Sequence, residues 1–135
     1  MKILICPGNV QTAKSYPHWD RFLALARDHE IKKIEGMMEE EAIIDLVNWC
    51  DVWISIDTFL PHLIKWHKLK PGIVIWGKSD PLIFGYSTNT NLLKDRKYLR
   101  TEQFRWWFDE KHDPEVFVSP VVVFGEIHNF AKGDP

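Results

Sequence analysis

Four short apolar runs, each separated from the next by a helical pattern, constrain this chain more than any other feature. They are Lys2 to Cys6, Ile31 to Glu35, Val52 to Ile56 and Gly72 to Trp76. Three are dense in Ile and Val with little polar alternation, as strands covered on both faces require. Ile31 to Glu35 alternates instead, which places it at a sheet edge. Between the runs, Trp19, Phe22, Leu23 and Ala26 recur at helical spacing within Pro17 to His29. Pro17 suits the first turn of that helix, where its missing N–H costs nothing. Ile43, Leu46, Val47 and Cys50 make a second stripe behind the acidic opening Glu39-Glu40-Glu41, which complements the helix dipole. Phe59, Leu63 and Trp66 make a third. This alternation predicts an α/β, three-layer Rossmann-like domain, with a parallel sheet of about four strands joined by right-handed crossovers.

From Pro81 onward the pattern is irregular. Gly85 to Asn91, rich in Asn, Thr, Ser and Gly, reads as a loop. Thr101 to Phe108 has room for one or two helical turns. Ser119 as N-cap and Pro120 as first helical residue begin a closing helix, Val121 to Ala131, with a frayed tail from Lys132 to Pro135. With no repeat or linker, residues 1–135 are expected to form one domain. A chain this long buries roughly two thirds of its unfolded surface and needs no disulfide or metal staple. Cys6 and Cys50 are expected to be small buried hydrophobes, and no Cys-x-x-Cys pair suggests zinc or redox chemistry. No apolar run approaches the ~20 residues of a membrane span, and the opening segment is too short for a signal sequence. A reduced, cytoplasmic protein is therefore expected. The formal net charge of −2 supplies no basic field for a nucleic acid backbone. Among the seven tryptophans and eight phenylalanines, the triplet Trp106-Trp107-Phe108 is the clearest surface cluster, because three adjacent rings cannot share one core.

In an open parallel sheet, ligands bind beyond the carboxyl ends of the strands, at a topological switch point. Each run here ends in glycine, hydroxyl or charge. Pro7-Gly8 follows the first, Glu35-Gly36 the second, Asp57-Thr58 the third and Gly77-Lys78-Ser79-Asp80-Pro81 the fourth. The N–H groups of Thr58, Phe59 and Leu60 open the third crossover helix and are free for an anion, aided by the helix dipole and the Thr58 hydroxyl. The bland alternative is that Asp57 or Thr58 simply caps that helix. His62, one turn in, either steadies a phosphate as imidazolium, holds a sugar hydroxyl as the neutral ring, or is only structural. Asp57 is the candidate general base or sugar-hydroxyl acceptor. Lys14 is a cation on the same rim or a solvated loop lysine, and Gly8 permits close approach of backbone to ligand. Neither a dinucleotide fingerprint nor a phosphate-loop motif is present.

These residues, in this order, resemble the donor-binding half of the lipopolysaccharide heptosyltransferases, glycosyltransferase family 9, which has a GT-B fold. The match runs over about residues 3 to 85. It consists of Ile5-Cys6-Pro7-Gly8, Ala13-Lys14-Ser15-Tyr16-Pro17, Asp57-Thr58-Phe59-Leu60-Pro61-His62, Lys70-Pro71 and Gly77-Lys78-Ser79-Asp80-Pro81. Tyr16 stands where the family has Trp, and Phe59 where it has Gly. The resemblance implies that Lys14 contacts phosphate or sugar, that Thr58 and the following N–H groups hold the diphosphate beside His62, and that Asp57 faces the sugar. It implies hexosyl or heptosyl transfer from a nucleotide sugar, with no cofactor and no metal, because Lys14 and the helix terminus carry the charge of the leaving diphosphate. Two departures stand out. These residues match one half of the family's fold and not the acceptor-binding half, and the strand and helix that help hold ribose and base in the family are missing before Ile31, so that Glu35 is the candidate substitute.

Three functional readings follow. In the first, the chain binds a nucleotide sugar and transfers the sugar, with the acceptor site supplied by a partner subunit or a second copy. In the second, it binds and sequesters a nucleotide or other phosphate-bearing small molecule without catalysis. In the third, it is a protein-interaction module on a degenerate glycosyltransferase scaffold, with the Trp106 cluster as its surface.

Overall fold

In the computed structural model the described residues are 1–8, 13–105, 107 and 110–131. Trp106 and Phe108 of the aromatic triplet, and the tail 132–135, lie outside them. The strands are β1 (Lys2–Cys6), β2 (Glu30–Lys33), β3 (Val52–Ile56), β4 (Ile73–Trp76) and β5 (Thr90–Leu93). The helices are α1 (Trp19–Leu25), α2 (Glu40–Trp49), α3 (Phe59–Trp66), the single turn α4 (Pro81–Phe84) and α5 (Pro120–Ala131). All strand pairs are parallel, in the order β2-β1-β3-β4-β5. The alternating run is indeed an edge strand, β2, and the three continuous Ile/Val runs occupy the interior.

Side-chain alternation along the inner strands divides the core in two. Ile3, Ile5, Ile54, Ile56, Ile73 and Ile75 face α1 and α5, packing on Phe22, Ala26, Val123 and Ile127. Leu4, Cys6, Trp53, Val74 and Trp76 face α2 and α3, packing on Ile43, Val47, Leu60 and Ile64. Crossover handedness explains this arrangement. The step from β1 to β2 moves one way across the sheet and every later step moves the other way, so right-handed connections put α1 on one face and α2 and α3 on the opposite face. The reversal falls between the neighbours β1 and β3, and that is the switch point. Both cysteines are buried. Burial pushes each thiol up to about 11.

Three sequence expectations need correction. The stretch Gly85 to Asn91 is not all loop, because Thr90 and Asn91 begin a fifth strand. Periodicity misses it because Thr90-Asn91-Leu92-Leu93 is only half-buried and its polar residues do specific work. Trp76 Nε1 donates to Asn91 Oδ1 at 2.9 Å, and just before the strand Gly72 N donates to Asn89 Oδ1 at 3.1 Å. The buried face of α3 is Leu60, Pro61 and Ile64, whereas Phe59 is 45% exposed and Trp66 is 82% exposed. This helix is apolar on most sides, so two stripes at helical spacing compete, and the crossover onto β4 selects between them. Pro17 precedes α1 instead of sitting in its first turn, since the helix starts at Trp19 with His18 as N-cap. The closing helix starts at Pro120 as expected, with Ser119 Oγ accepting from Val122 N at 3.4 Å.

Candidate functional site

The connections leaving β1, β3 and β4 meet at one cleft of about 300 Å³. Lys14, Asp57, His62 and Ser79 line it, together with Phe84, Gln103, Phe104, Arg105 and Trp107. Lys14 Nζ lies 3.2 Å from Asp57 Oδ2, so the cation and the carboxylate expected on this rim form an ion pair across the switch point. The same ammonium sits 4.8 Å from the Trp107 ring centroid, and the Arg100 guanidinium lies 4.0 Å from that ring. Cation–π contact of this kind favours a held side chain over a freely solvated one.

Thr58 is the N-cap of α3 in an extended conformation, and its side chain makes no capping bond. Thr58 thus occupies the cap position without its hydroxyl satisfying a helix N–H group. The first N–H groups of α3 have no acceptor inside the helix, and Asp57 and His62 place that first turn beside the cleft. His62 is exposed, and its Nδ1 lies 2.7 Å from the Tyr86 hydroxyl. Ser79 is 2% exposed and its Oγ has no hydrogen-bond partner. A buried hydroxyl left unsatisfied costs ~1–3 kcal/mol, so this one is either tolerated strain or a donor awaiting an acceptor.

The remaining candidates are placed differently. Gly8 closes β1 with φ of +89°, and a Cβ there would come 2.9 Å from Ile56 Cδ1, so backbone conformation and close packing both require glycine. It and Pro7 are not among the residues lining the cleft. The Leu60 side chain is fully buried, so only its backbone can serve a ligand, and the Phe59 ring is exposed at the helix start. Gly77 is a packing residue: a Cβ on it would stand 2.7 Å from the Phe117 ring. Asp80 is committed structurally, accepting from Leu82 N at 2.9 Å and from Arg96 Nη1 and Nη2 at 3.0 and 2.8 Å. The Arg96 hydrogen bonds hold its carboxyl below the usual carboxylate range. Glu35 is exposed beyond edge strand β2 and does not line the cleft. Cys6 is buried, and burial raises its thiol more than its bond to Ser55 lowers it.

Sequence reasoning left Gln103, Phe104 and Arg105 out of the site and took Trp107 only as part of a surface cluster, whereas all four wall the cleft. Gln103 Oε1 accepts from Asp80 N at 2.8 Å, and its Nε2 donates to Lys78 O at 2.9 Å and Arg100 O at 2.7 Å. Lys78 Nζ in turn reaches Glu110 at 3.1 Å and Lys111 O at 2.9 Å. These bonds fasten the aperiodic segment over the exit of β4. The one available signal was its mixture of Arg and aromatic residues. A larger hollow, about 390 Å³, lies between Ile64, Lys65 and Lys68 and the segments entering β4 and β5. It is at the amino ends of the strands, holds no orphaned buried polar atom and contains none of the switch-point residues, so the smaller cleft is the candidate site.

Among the described residues, no group of three or more His, Cys, Asp or Glu could hold a metal ion, and no helix is long and apolar enough to cross a membrane. No family model matches the chain, and no curated protein matches it. Among solved structures it is similar to the dodecameric iron-containing heptosyltransferase TibC in complex with ADP-D-β-D-heptose. The two share 13% identity at a TM-score of 0.69, over 97% of this chain and 45% of that one. The fold is thus glycosyltransferase-like, and the chain spans less than half the length of that protein.

Proposed function

We propose that this chain is a glycosyltransferase-like domain that binds a nucleotide-activated sugar in the switch-point cleft. The observation that carries the reading is convergence. Lys14, Asp57, His62 and the orphaned Ser79 hydroxyl come from three different strand exits and meet beside the uncapped start of α3. A diphosphate offers an acceptor to Ser79 Oγ, negative charge to Lys14 and Arg105, and acceptors to the α3 N–H groups. As it binds, it competes with Asp57 for Lys14. The released carboxylate then faces the sugar as hydrogen-bond acceptor or general base. Likeness of fold to a heptosyltransferase solved with ADP-heptose supports the class of ligand.

Calorimetric titration with ADP-, UDP- and GDP-sugars, followed by a transfer assay over an acceptor panel, tests the proposal. Binding is expected for at least one donor. Lys14→Ala should weaken it by about tenfold, in line with a charge-assisted contact. Asp57→Ala should abolish transfer with the fold intact. Absence of binding to every nucleotide sugar and to pyrophosphate at millimolar concentration sinks the proposal. A second reading, binding without turnover, is favoured by the Lys14–Asp57 pair, which occupies the would-be base at 3.2 Å. Tight binding with no transfer or hydrolysis selects it.

A further inference from the structure

We propose that Phe84 and Phe104 form a ring-binding subsite at one end of the cleft, where Phe104 stacks on a nucleobase whose phosphates lie toward Ser79 and Lys14. The proposal rests on the nucleotide reading above for the phosphates and adds the place of the base.

Phe104 is 82% exposed although it lines the cleft. Leaving a phenyl ring in water forfeits burial energy, so its position needs a reason. Looseness is not that reason. The preceding residue, Gln103, spends its side-chain amide on three hydrogen bonds, to Asp80 N, Lys78 O and Arg100 O. Asp80 is itself fixed by Arg96 and by the start of α4. The backbone that carries Phe104 is therefore pinned to the exit of β4, and the ring is held out at a defined place. Phe84 supports it edge-on, with centroids 5.4 Å apart and planes at 66°. This T-shaped contact uses little of the Phe104 surface and leaves a flat apolar face open.

A flat apolar face next to cationic and hydroxyl groups matches a ligand that is part aromatic ring and part phosphate. A sugar phosphate alone has nothing to place there. Trp107, the other aromatic wall, is less suited, since Lys14 and Arg100 already sit over its ring. Glu35, the residue that sequence suggested for the ribose and base, lies beyond the opposite edge strand and does not line the cleft. The volume, about 300 Å³, lies at the low end of small-molecule sites, roughly 300–1,000 Å³. That suits a nucleotide moiety with any attached sugar projecting past the mouth.

The test is calorimetric titration of the full chain with AMP, ribose 5-phosphate, ADP and inorganic pyrophosphate. AMP and ribose 5-phosphate carry the same sugar and phosphate and differ by the base. AMP is expected to bind about five- to a hundredfold tighter, the range that base–aromatic stacking supplies. Phe104→Ala should remove that advantage without moving pyrophosphate affinity or the melting temperature, because the ring is exposed. Phe104→Trp should restore it. Ser79→Ala should weaken ADP and pyrophosphate in parallel. Equal affinity for AMP and ribose 5-phosphate, or a Phe104→Ala variant that keeps the difference, overturns the subsite. In that case Phe104 joins exposed Leu82 as a protein-contact surface. Failure of all four probes to bind overturns the nucleotide reading with it.

Discussion

Asp80 offers a quantitative test of whether a strand-exit residue serves the scaffold or the ligand. Its carboxylate makes two separable contributions. It caps α4 through Leu82 N at 2.9 Å, and it pairs with both Arg96 nitrogens. Loss of a helix cap costs about 1 kcal/mol. The ion pair adds to this only weakly, because the Arg96 side chain is 54% exposed and solvent screens it. Asparagine caps as well as aspartate, so Asp80→Asn should lose only the pair, whereas Asp80→Ala should lose both, the cap alone costing about 1 kcal/mol. At about 3–5 °C per kcal/mol for a chain of this size, Asp80→Ala should melt at least about 3–5 °C lower, with Asp80→Asn between it and wild type. The pH dependence has a definite sign. Arg96 depresses the folded-state pKa of Asp80, so the stabilisation is complete above the unfolded value, near 3.9, and disappears as pH falls through the folded value. Urea unfolding of wild type and Asp80→Asn should therefore show a gap at pH 7 that shrinks below about pH 4. A gap that stays constant down to the acid limit, or an Asp80→Asn variant as stable as wild type, refutes the assignment of the pair as stabilising.

Three further outcomes are expected. Ser79→Ala should be neutral or stabilising by about 1 kcal/mol, since it deletes a buried hydroxyl with no partner; measurable destabilisation in urea would show that the hydroxyl is satisfied in solution. Lys68 holds φ of +54° just past α3, so Lys68→Gly should raise the urea midpoint by the equivalent of about 0.5–1 kcal/mol. At Gly72 an added Cβ would fall 2.2 Å from the Trp53 ring. Gly72→Ala should therefore cost at least about 1–3 kcal/mol through overpacking, and a melting temperature equal to wild type would contradict the packing described here.

Local pattern determined much of this protein. Short Ile/Val runs such as Val52 to Ile56 fit strands covered on both sides, and their alternation with helices favours a parallel sheet with right-handed crossovers. That topology in turn puts Lys14 and Asp57 at the same end of adjacent strands, because parallel strands all deliver their exits to one rim. What sequence could not supply were choices among equivalent local options. The two apolar stripes of α3 have the same spacing, and only the packing of Leu60 and Ile64 against Trp53 and Val74 decides between them. The strand at Thr90 pairs with β4, and Asn91 also accepts from the indole of Trp76, a contact across 15 positions that no local pattern encodes. The assignment of Asp80 to Arg96, Gly77 to Phe117 and Gln103 to three separate backbone groups is of the same kind. Chain periodicity fixes which residues face a layer, but partnerships between irregular segments depend on distances in three dimensions, and those segments supplied the aromatic wall of the cleft.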